Sequence, residues 1–252
     1  RIQYQTYDVT SLLREGANVI GAQVCGGWWS GPLMSMPTVS APQYCLLLRM
    51  DVELADGTTQ SVASDATWLA TDAGPIRRAE IYYGEVYDAT REMSGWDQTG
   101  FATNGWSTAQ TLTCPAGSAQ AVLVAQPNEP IRVETERLPV KITEPSTGVY
   151  IFDMGQNMAG WCRLKTTAPA GTVITLRFAE ALNDDGSVYR SNLRGATQLN
   201  QYTWRGGEAT LEPHFTYYGF RYVEVTGLTT APDTQTLCGL VLHSAAPEAG
   251  TF

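Results

Sequence analysis

The stretch LLLRMDVELADGTTQSV, residues 46–62, alternates apolar with polar side chains before it turns back on itself. In a strand, every second side chain points to the same face, so this pattern separates an apolar face from a charged one. The pair Asp56-Gly57 suits the positive φ angles of a type I′ turn. The stretch therefore predicts a half-buried antiparallel hairpin. Its apolar face consists of Leu46, Leu48, Met50, Val52 and Leu54.

The same pattern recurs further along the chain. In TVITLRFAEAL, residues 172–182, every second residue from Ile174 to Phe178 is large and apolar. Turn signals follow at 185–186 (Asp-Gly) and at 206–207 (Gly-Gly). Many short strands separated by such turns, with few helices, predict an all-β protein built from antiparallel β-sandwiches.

One short helical turn is expected in the sequence DVTSLLREG, which begins at Asp8. Asp8 or Thr10 can cap this turn, and Gly16 can end it in the left-handed conformation. Leu12 and Leu13 are expected to be buried.

The charge balance of the chain is acidic, with a formal net charge of -9 and a pI of about 4.7. Such a protein repels nucleic-acid phosphates and anionic lipid surfaces, because binding to them needs clustered Lys and Arg. The longest apolar runs, such as YCLLL at 44–48, are far shorter than the roughly 20 residues that span a bilayer. We therefore expect neither nucleic acid nor membrane as a partner.

The five cysteines and two histidines lack the spacing of zinc ligands. Each cysteine lies in or beside an apolar run, which favours a buried reduced thiol. Apart from a metal ion, no cofactor is expected. His214 follows a proline and has no Ser or Cys partner in a recognisable motif. A hydrogen-bonded or exposed imidazole is therefore favoured over a catalytic base.

Two tryptophans, Trp28 and Trp29, follow a strand-like segment that ends in Gly26-Gly27. Aromatic rings at a loop mouth suit sugars, because the apolar face of a pyranose stacks on a ring while its hydroxyl groups bind polar side chains. The alternative is that both rings are core residues that seal one end of a sandwich.

A long polar and aromatic loop, residues 80–106, contains Tyr87, Asp88, Arg91 and Trp96, which are further candidates for substrate binding. Loops of this composition are often functional. The alternative is that Arg91 pairs with a neighbouring carboxylate and only holds the loop.

The sequence IFDMGQNMAGW, residues 151–161, places Gln156 and Asn157 between two glycines. Glycine permits positive φ, and short amides hydrogen-bond to their own turn, so a bulge or a tight turn explains this composition without a ligand. The alternative is that both amides reach toward a following domain. Glu180, at the end of an apolar strand, is either exposed, paired with an arginine, or part of a site formed with Glu85 and Asp88.

Several long segments together resemble the bacterial alpha-L-rhamnosidases. The strongest are FDMGQNMAGW at 152–161 and YYGFRYVEVTG at 217–227; YQTYDVTSLLREGANVIG, GWWSG, EIYYGEVYDATREMSGWDQTGF and PAGTVITLRFAEALNDDGSVYRSNLRGATQLNQYTWRGG add to them. Similarity to this family extends over almost the whole chain. The segment DVTSLLREGAN alone is weak, because many sugar-binding jelly rolls contain something similar.

The resemblance implies an N-terminal jelly-roll domain and a second β-sandwich, followed in the family by an (α/α)6 barrel that carries out an inverting glycoside hydrolysis. Because 113–139 is rich in small residues and proline, we place the boundary near residue 128. Residues 1–128 then form the jelly roll, which we expect to lack its first strands, and 129–252 form the second domain. No segment matches the barrel, so the chain is expected to lack catalytic residues.

The resemblance also indicates partners. These are rhamnose-containing carbohydrate, and either a downstream catalytic barrel or complementary fragments of the chain. Some relatives hold calcium in the jelly roll, but here Ser94 and the sequence ATN at 102–104 replace proline and acidic residues. Metal binding is therefore left open. A bacterial origin is implied, whereas a cytoplasmic and a secreted or periplasmic location both stay open.

Overall fold

The computed structural model describes residues 2–27, 44–112, 121–247 and 249–250. These residues form strands joined by turns and by three single-turn 3-10 helices, at Thr10–Leu12, Ala89–Arg91 and Ser191–Leu193. The strands are β1 (Ile2–Tyr4), β2 (Arg49–Glu53), β3 (Thr59–Ala63), β4 (Leu69–Ala70), β5 (Ile76–Glu80), β6 (Gly84–Asp88), β7 (Ser107–Thr108), β8 (Leu123–Ala125), β9 (Ile131–Arg137), β10 (Lys141–Ser146), β11 (Val149–Ala168), β12 (Val173–Ala179), β13 (Ala181–Leu182), β14 (Val188–Tyr189), β15 (Leu199–Thr203), β16 (Gly207–Leu211), β17 (Tyr218–Thr226) and β18 (Leu237–Ser244). The predicted all-β class is confirmed.

The described residues separate into two compact units. The first contains 2–24, 45–73, 93–112 and 121–128, and the second contains 25–27, 44, 74–92, 129–247 and 249–250. Strands β5 and β6 therefore belong to the second unit although they precede the end of the first in sequence. The division at residue 128 stays a prediction. No helix within the described ranges is long and apolar enough to cross a membrane.

The first unit contains three two-stranded pairings: β1 with β8, β2 with β3, and β4 with β7. The predicted hairpin is β2–β3, in which Met50 and Val52 are half-buried while the charged residues of β2 are exposed. The pairing of β1 with β8 is parallel, which the alternation did not predict.

The turn between β2 and β3 differs from the predicted type I′. Among its residues only Gly57 has a positive φ, of 81°. The Gly57 N–H donates to the Leu54 carbonyl at 2.9 Å, and the Leu54 N–H donates to the Thr58 carbonyl at 2.8 Å. This is a three-residue loop with glycine in the left-handed position. Asp56 keeps a negative φ and accepts hydrogen bonds from the Thr58 N–H and hydroxyl.

The expected burial of Leu12 is wrong. The 3-10 turn forms, with the Asp8 carboxylate accepting from the Thr10 N–H at 2.9 Å and Gly16 at a φ of 89°. Leu12, however, is 77% exposed, and Leu13 is half-buried. A single 3-10 turn is too short to present a continuous apolar stripe, so one leucine points away from the unit.

The second unit is built on one ten-stranded sheet. The strand order is β5-β6-β15-β12-β17-β11-β18-β9, and β10 and β16 also pair with β11. All the pairings in this sheet are antiparallel except that of β6 with β15, which is parallel. Strand β11 exchanges β10 for β18, and β17 for β16, along its twenty residues. The sheet thereby curls around its own core.

The core of the second unit is apolar and aromatic. The predicted alternation in β12 is confirmed, because Ile174, Leu176 and Phe178 are fully buried. Phe178 packs against Tyr218 and Phe220, with ring centroids 4.4 and 4.9 Å apart. The aromatics expected to fill the sandwich from 215 to 222 do so only in part. Tyr218 and Phe220 are buried, Phe215 and Tyr222 are half-buried, and Tyr217 is exposed.

Candidate functional site

The six residues predicted to bind substrate are not all brought together. Trp28 and Trp29 lie outside the described residues. Trp96 belongs to the first unit, where it is half-buried, and a Cβ placed on Gly21 would collide with its indole ring. Tyr87, Asp88 and Arg91 belong to the second unit. The structure thus groups three of the six residues, at the end of β6.

Asp88 caps the 3-10 turn that follows β6. Its carboxylate accepts hydrogen bonds from the Thr90 hydroxyl at 2.6 Å and from the Thr90 N–H at 3.1 Å. Arg91 pairs with the same carboxylate at 3.2 Å. These bonds, the Thr90 hydroxyl first, lower the pKa of Asp88. Arg91 thus pairs with a neighbouring carboxylate, while its role in substrate binding stays a prediction.

Tyr87 is buried and does not offer an open ring. Its hydroxyl donates to the Glu92 carboxylate at 3.0 Å, and its ring stacks on the His214 imidazole with centroids 5.6 Å apart. Burial and the negative charge of Glu92 raise the pKa of Tyr87. Glu92 in turn forms an ion pair with Arg205 at 2.5 Å. These contacts fix the end of β6 against the loop before β17.

Glu85 is the central charged group of this region, and its carboxylate is completely buried. One oxygen accepts hydrogen bonds from the main-chain N–H groups of His214 at 2.8 Å and Phe215 at 3.1 Å. The other oxygen lies 3.4 Å from the His214 ring nitrogen Nδ1. The hydrogen bond to Glu85 is the main cause that raises the pKa of His214. A buried carboxylate held by three nitrogen atoms stabilises a loop rather than presenting an acid to a substrate.

Asn200 extends this buried network. It lies opposite Glu85 in the parallel pair of β6 and β15. The Asn200 carbonyl oxygen accepts from the Tyr218 hydroxyl at 2.6 Å and from the Glu85 N–H at 3.4 Å. Asn200 Nδ2 and the Tyr202 hydroxyl are buried and have no hydrogen-bond partner among the described residues. The network therefore links β6, β15 and β17 through polar groups inside the sheet.

The second polar cluster surrounds Glu180 and includes Asn157, one of the two amides between the glycines of 151–161. Strand β11 bulges between Asp153 and Met158, with Gly155 at a φ of 77°, so the predicted bulge is confirmed. Gln156 and Asn157 are exposed on it. The Asn157 amide donates to Glu180 at 3.0 Å.

Glu180 also accepts from the Asn192 amide at 3.3 Å. The contact of Asn192 could not be predicted from the sequence, because nothing local marks a loop asparagine that meets a carboxylate twelve positions away. Within the described residues, no group of three or more His, Cys, Asp and Glu side chains could hold a metal ion.

Two protein-family models match the chain. The one described as the alpha-L-rhamnosidase N-terminal domain covers residues 1–135, and the one described as the bacterial alpha-L-rhamnosidase concanavalin-like domain covers 143–243. An alpha-L-rhamnosidase of Streptomyces avermitilis is 44% identical over 249 residues, which are 98% of this chain and 24% of the relative. One of Alteromonas sp. is 36% identical over 97% of this chain and 26% of the relative. The chain thus spans about a quarter of the length of these relatives.

Solved structures agree with the sequence matches. The Streptomyces avermitilis alpha-L-rhamnosidase complexed with L-rhamnose superposes with a TM-score of 0.87 and 41% identity, over 97% of this chain and 24% of that chain. The native Aspergillus terreus enzyme gives a TM-score of 0.83 and 32% identity, over 96% of this chain and 28% of that chain.

Proposed function

Because this chain belongs to the alpha-L-rhamnosidase family, we propose that it is the non-catalytic β-sandwich part of such an enzyme. The enzyme would be an inverting glycoside hydrolase that releases terminal alpha-L-rhamnose, and this part would position its helical catalytic barrel. The observation that carries the proposal is the match of both β-domain models in succession, over about a quarter of the relatives' length.

The state of the carboxylates supports a role without catalysis. Inverting hydrolysis needs two carboxyl groups roughly 6.5–9.5 Å apart on either side of a sugar. Glu85 is closed off from solvent and bound by main-chain N–H groups. Asp88 caps its own turn, and Glu180 is held by two amides. Each of these carboxylates thus has a structural partner in the described part of the chain.

Hydrolysis of an aryl alpha-L-rhamnoside tests the proposal. The isolated chain is expected to release no aglycone above the uncatalysed rate. The intact polypeptide that contains it is expected to turn the substrate over. Turnover by the isolated chain at a rate comparable to that of the intact polypeptide would refute a non-catalytic role.

The second candidate function is carbohydrate binding by the same chain; the Streptomyces avermitilis relative, of which this chain covers 24%, is complexed with L-rhamnose. The residues proposed to contact the sugar are Trp28, Trp29, Tyr87, Asp88, Arg91 and Trp96. The structure describes two of the four proposed aromatic residues. Trp96 is half-buried, whereas Tyr87 is buried and would have to move to expose its ring.

Calorimetric titration with L-rhamnose, with and without calcium, distinguishes this function from scaffolding alone. Saturation at millimolar sugar that is lost in a Trp96→Ala variant is expected from a binding module. Trp106→Ala, which removes a ring that packs edge-on against Phe101, is the control. The absence of a saturable signal would leave the scaffolding role alone.

A further inference from the structure

The exposed side of the second unit's sheet carries a polar patch around Glu180. We call it the Glu180 face and define it by Asn157, Ala159, Glu180, Asn192 and Gly219. All five residues are exposed. Ala159 and Gly219 lie opposite each other in the pairing of β11 with β17. Since neither carries more than a methyl group, the main chain is accessible at the centre of the patch.

Gly219 lies next to the Glu180 carboxylate. A Cβ placed there would be 3.8 Å from the Glu180 oxygen Oε1. The same oxygen accepts the hydrogen bond from Asn157, and Oε2 accepts the one from Asn192. The carboxylate is thus held above the sheet by two amides that come from different segments.

The backbone of both segments departs from regular strand geometry. Asn157 lies on the β11 bulge, in which the four residues from 154 to 157 face only Arg221 of β17. Asn192 lies in the loop where Arg194 has φ 56° and ψ -109° and Gln198 has φ 39°. Such conformations persist where the surroundings fix them, and they concentrate at functional positions. Here both deliver an amide to the same exposed carboxylate.

The charge of Glu180 is not neutralised within the unit. None of the ion pairs formed among the described residues involves it. Two neutral amides orient the carboxylate but leave its negative charge and further lone pairs free. A partner that carries a cation would complement this charge.

We propose that the Glu180 face is a docking surface for another part of the longer alpha-L-rhamnosidase polypeptide. The docking segment presents an arginine or lysine to Glu180 and main-chain groups to the exposed amides. This inference rests on the proposed scaffolding function, and the length of the relatives supplies the partner, since about three quarters of it lies outside the match. An exposed carboxylate that two amides orient beside accessible main chain suits a cationic protein segment by charge complementarity.

Hydrogen–deuterium exchange tests the inference on the intact polypeptide, with the isolated chain as the comparison. Peptides covering 154–160 and 179–182 are expected to exchange at least about tenfold more slowly in the intact polypeptide, since docking suppresses local opening. The Glu180→Arg variant of the intact polypeptide is expected to lose this protection. Glu208→Arg is the matched control, because Glu208 is an exposed glutamate of the same unit that pairs with Lys165 at 3.6 Å.

Asn157→Asp provides a second variant of the same size, which places a second carboxylate against Glu180. It is expected to lose the protection as well, and it carries the test if Glu180→Arg does not fold. Protection elsewhere in the unit without protection of 154–160 would overturn the docking surface and leave the scaffolding function intact. An isolated chain that hydrolyses the rhamnoside would instead remove the proposed function and the inference together. Protection of 154–160 by L-rhamnose in the isolated chain would replace the protein partner by a glycan.

Discussion

Replacing Glu85 by glutamine removes the one buried charge on which the loop before β17 depends. Glutamine has almost the same size, and its carbonyl oxygen can still accept from the N–H groups of His214 and Phe215. What is lost is the charge on these bonds and the acceptor that faces the imidazole. The substitution therefore tests the electrostatic part of the interaction without creating a cavity.

The expected loss of unfolding free energy follows from the number of bonds. A hydrogen bond to a charged group contributes about 1.5–3 kcal/mol, against about 0.5–1.5 kcal/mol for a neutral pair. Since burial of the charge itself has a cost, we expect Glu85→Gln to lose about 2 kcal/mol in total. Glu85→Ala leaves both N–H groups without their acceptor and is expected to lose about 4 kcal/mol.

Thermal and urea unfolding followed by circular dichroism measure this loss. For a unit of this size, 2 kcal/mol corresponds to a decrease of the melting temperature by about 4–8 °C. Glu208→Gln, on a side chain that is 69% exposed, is the control and should change stability by less than about 0.5 kcal/mol. A Glu85→Gln variant as stable as the wild type would refute the view that the buried charge stabilises this loop.

The pH dependence gives an independent check. The folded-state pKa of His214 is raised, first of all by its hydrogen bond to Glu85. Its contribution to stability is therefore fully present below the unfolded-state pKa of about 6.5 and is lost as the pH rises through the folded-state pKa. Glu85→Gln should flatten this part of the stability profile. A variant that keeps the wild-type slope would show that another group causes it.

Three further substitutions test other parts of the second unit. His214→Ala keeps the main-chain N–H bond to the carboxylate but loses the ring stacked on Tyr87, so its free energy of unfolding should fall by only about 1 kcal/mol. It should also lose the pH dependence described for Glu85→Gln. Urea titrations at several pH values measure both effects. Gly160→Ala should lower the melting temperature by several degrees, since its Cβ would collide with a main-chain carbonyl of β18; Gly74→Ala, which meets nothing within 4 Å, should not. Asp153→Asn should reduce the loss of stability on acidification, because an arginine partner lowers the pKa of this aspartate, and stability from it is present above its unfolded-state pKa and lost as the pH falls through the folded value.

The sequence predicted the strands better than their connections. The period of two in β2 and β12 depends on which face is buried, so it can be read from neighbouring residues. The turn at Asp56-Gly57 could not be assigned in the same way, because the dipeptide fits two turn types. In the turn that forms, the Asp56 carboxylate accepts from Thr58, a contact that the dipeptide alone does not specify.

The contacts of the candidate site were less accessible to sequence reasoning. Glu85 and His214 are 129 positions apart, and the parallel pairing that places Glu85 opposite Asn200 leaves no local pattern. The sequence groups Glu85 only with other acidic residues, whereas its partners in the structure are N–H donors of a distant loop. The bulge at Gly155 was predictable, because glycines and short amides mark it directly. The meeting of Asn157 with Glu180 depends on the sheet order and was not.

Glu85 and Glu180 of the second unit have separate roles, the first in folding and the second in the proposed association. Glu85 and Glu180 are both held by nitrogen donors, but Glu85 is buried and Glu180 is exposed. They share no hydrogen-bond partner, and effects of residues without common partners usually add within about 0.5 kcal/mol. Combining Glu85→Gln with Glu180→Arg in the isolated chain should therefore give the sum of the two single losses of unfolding free energy. A large deviation from additivity would mean that one network contains both carboxylates, and the docking surface could then not be altered without altering the fold.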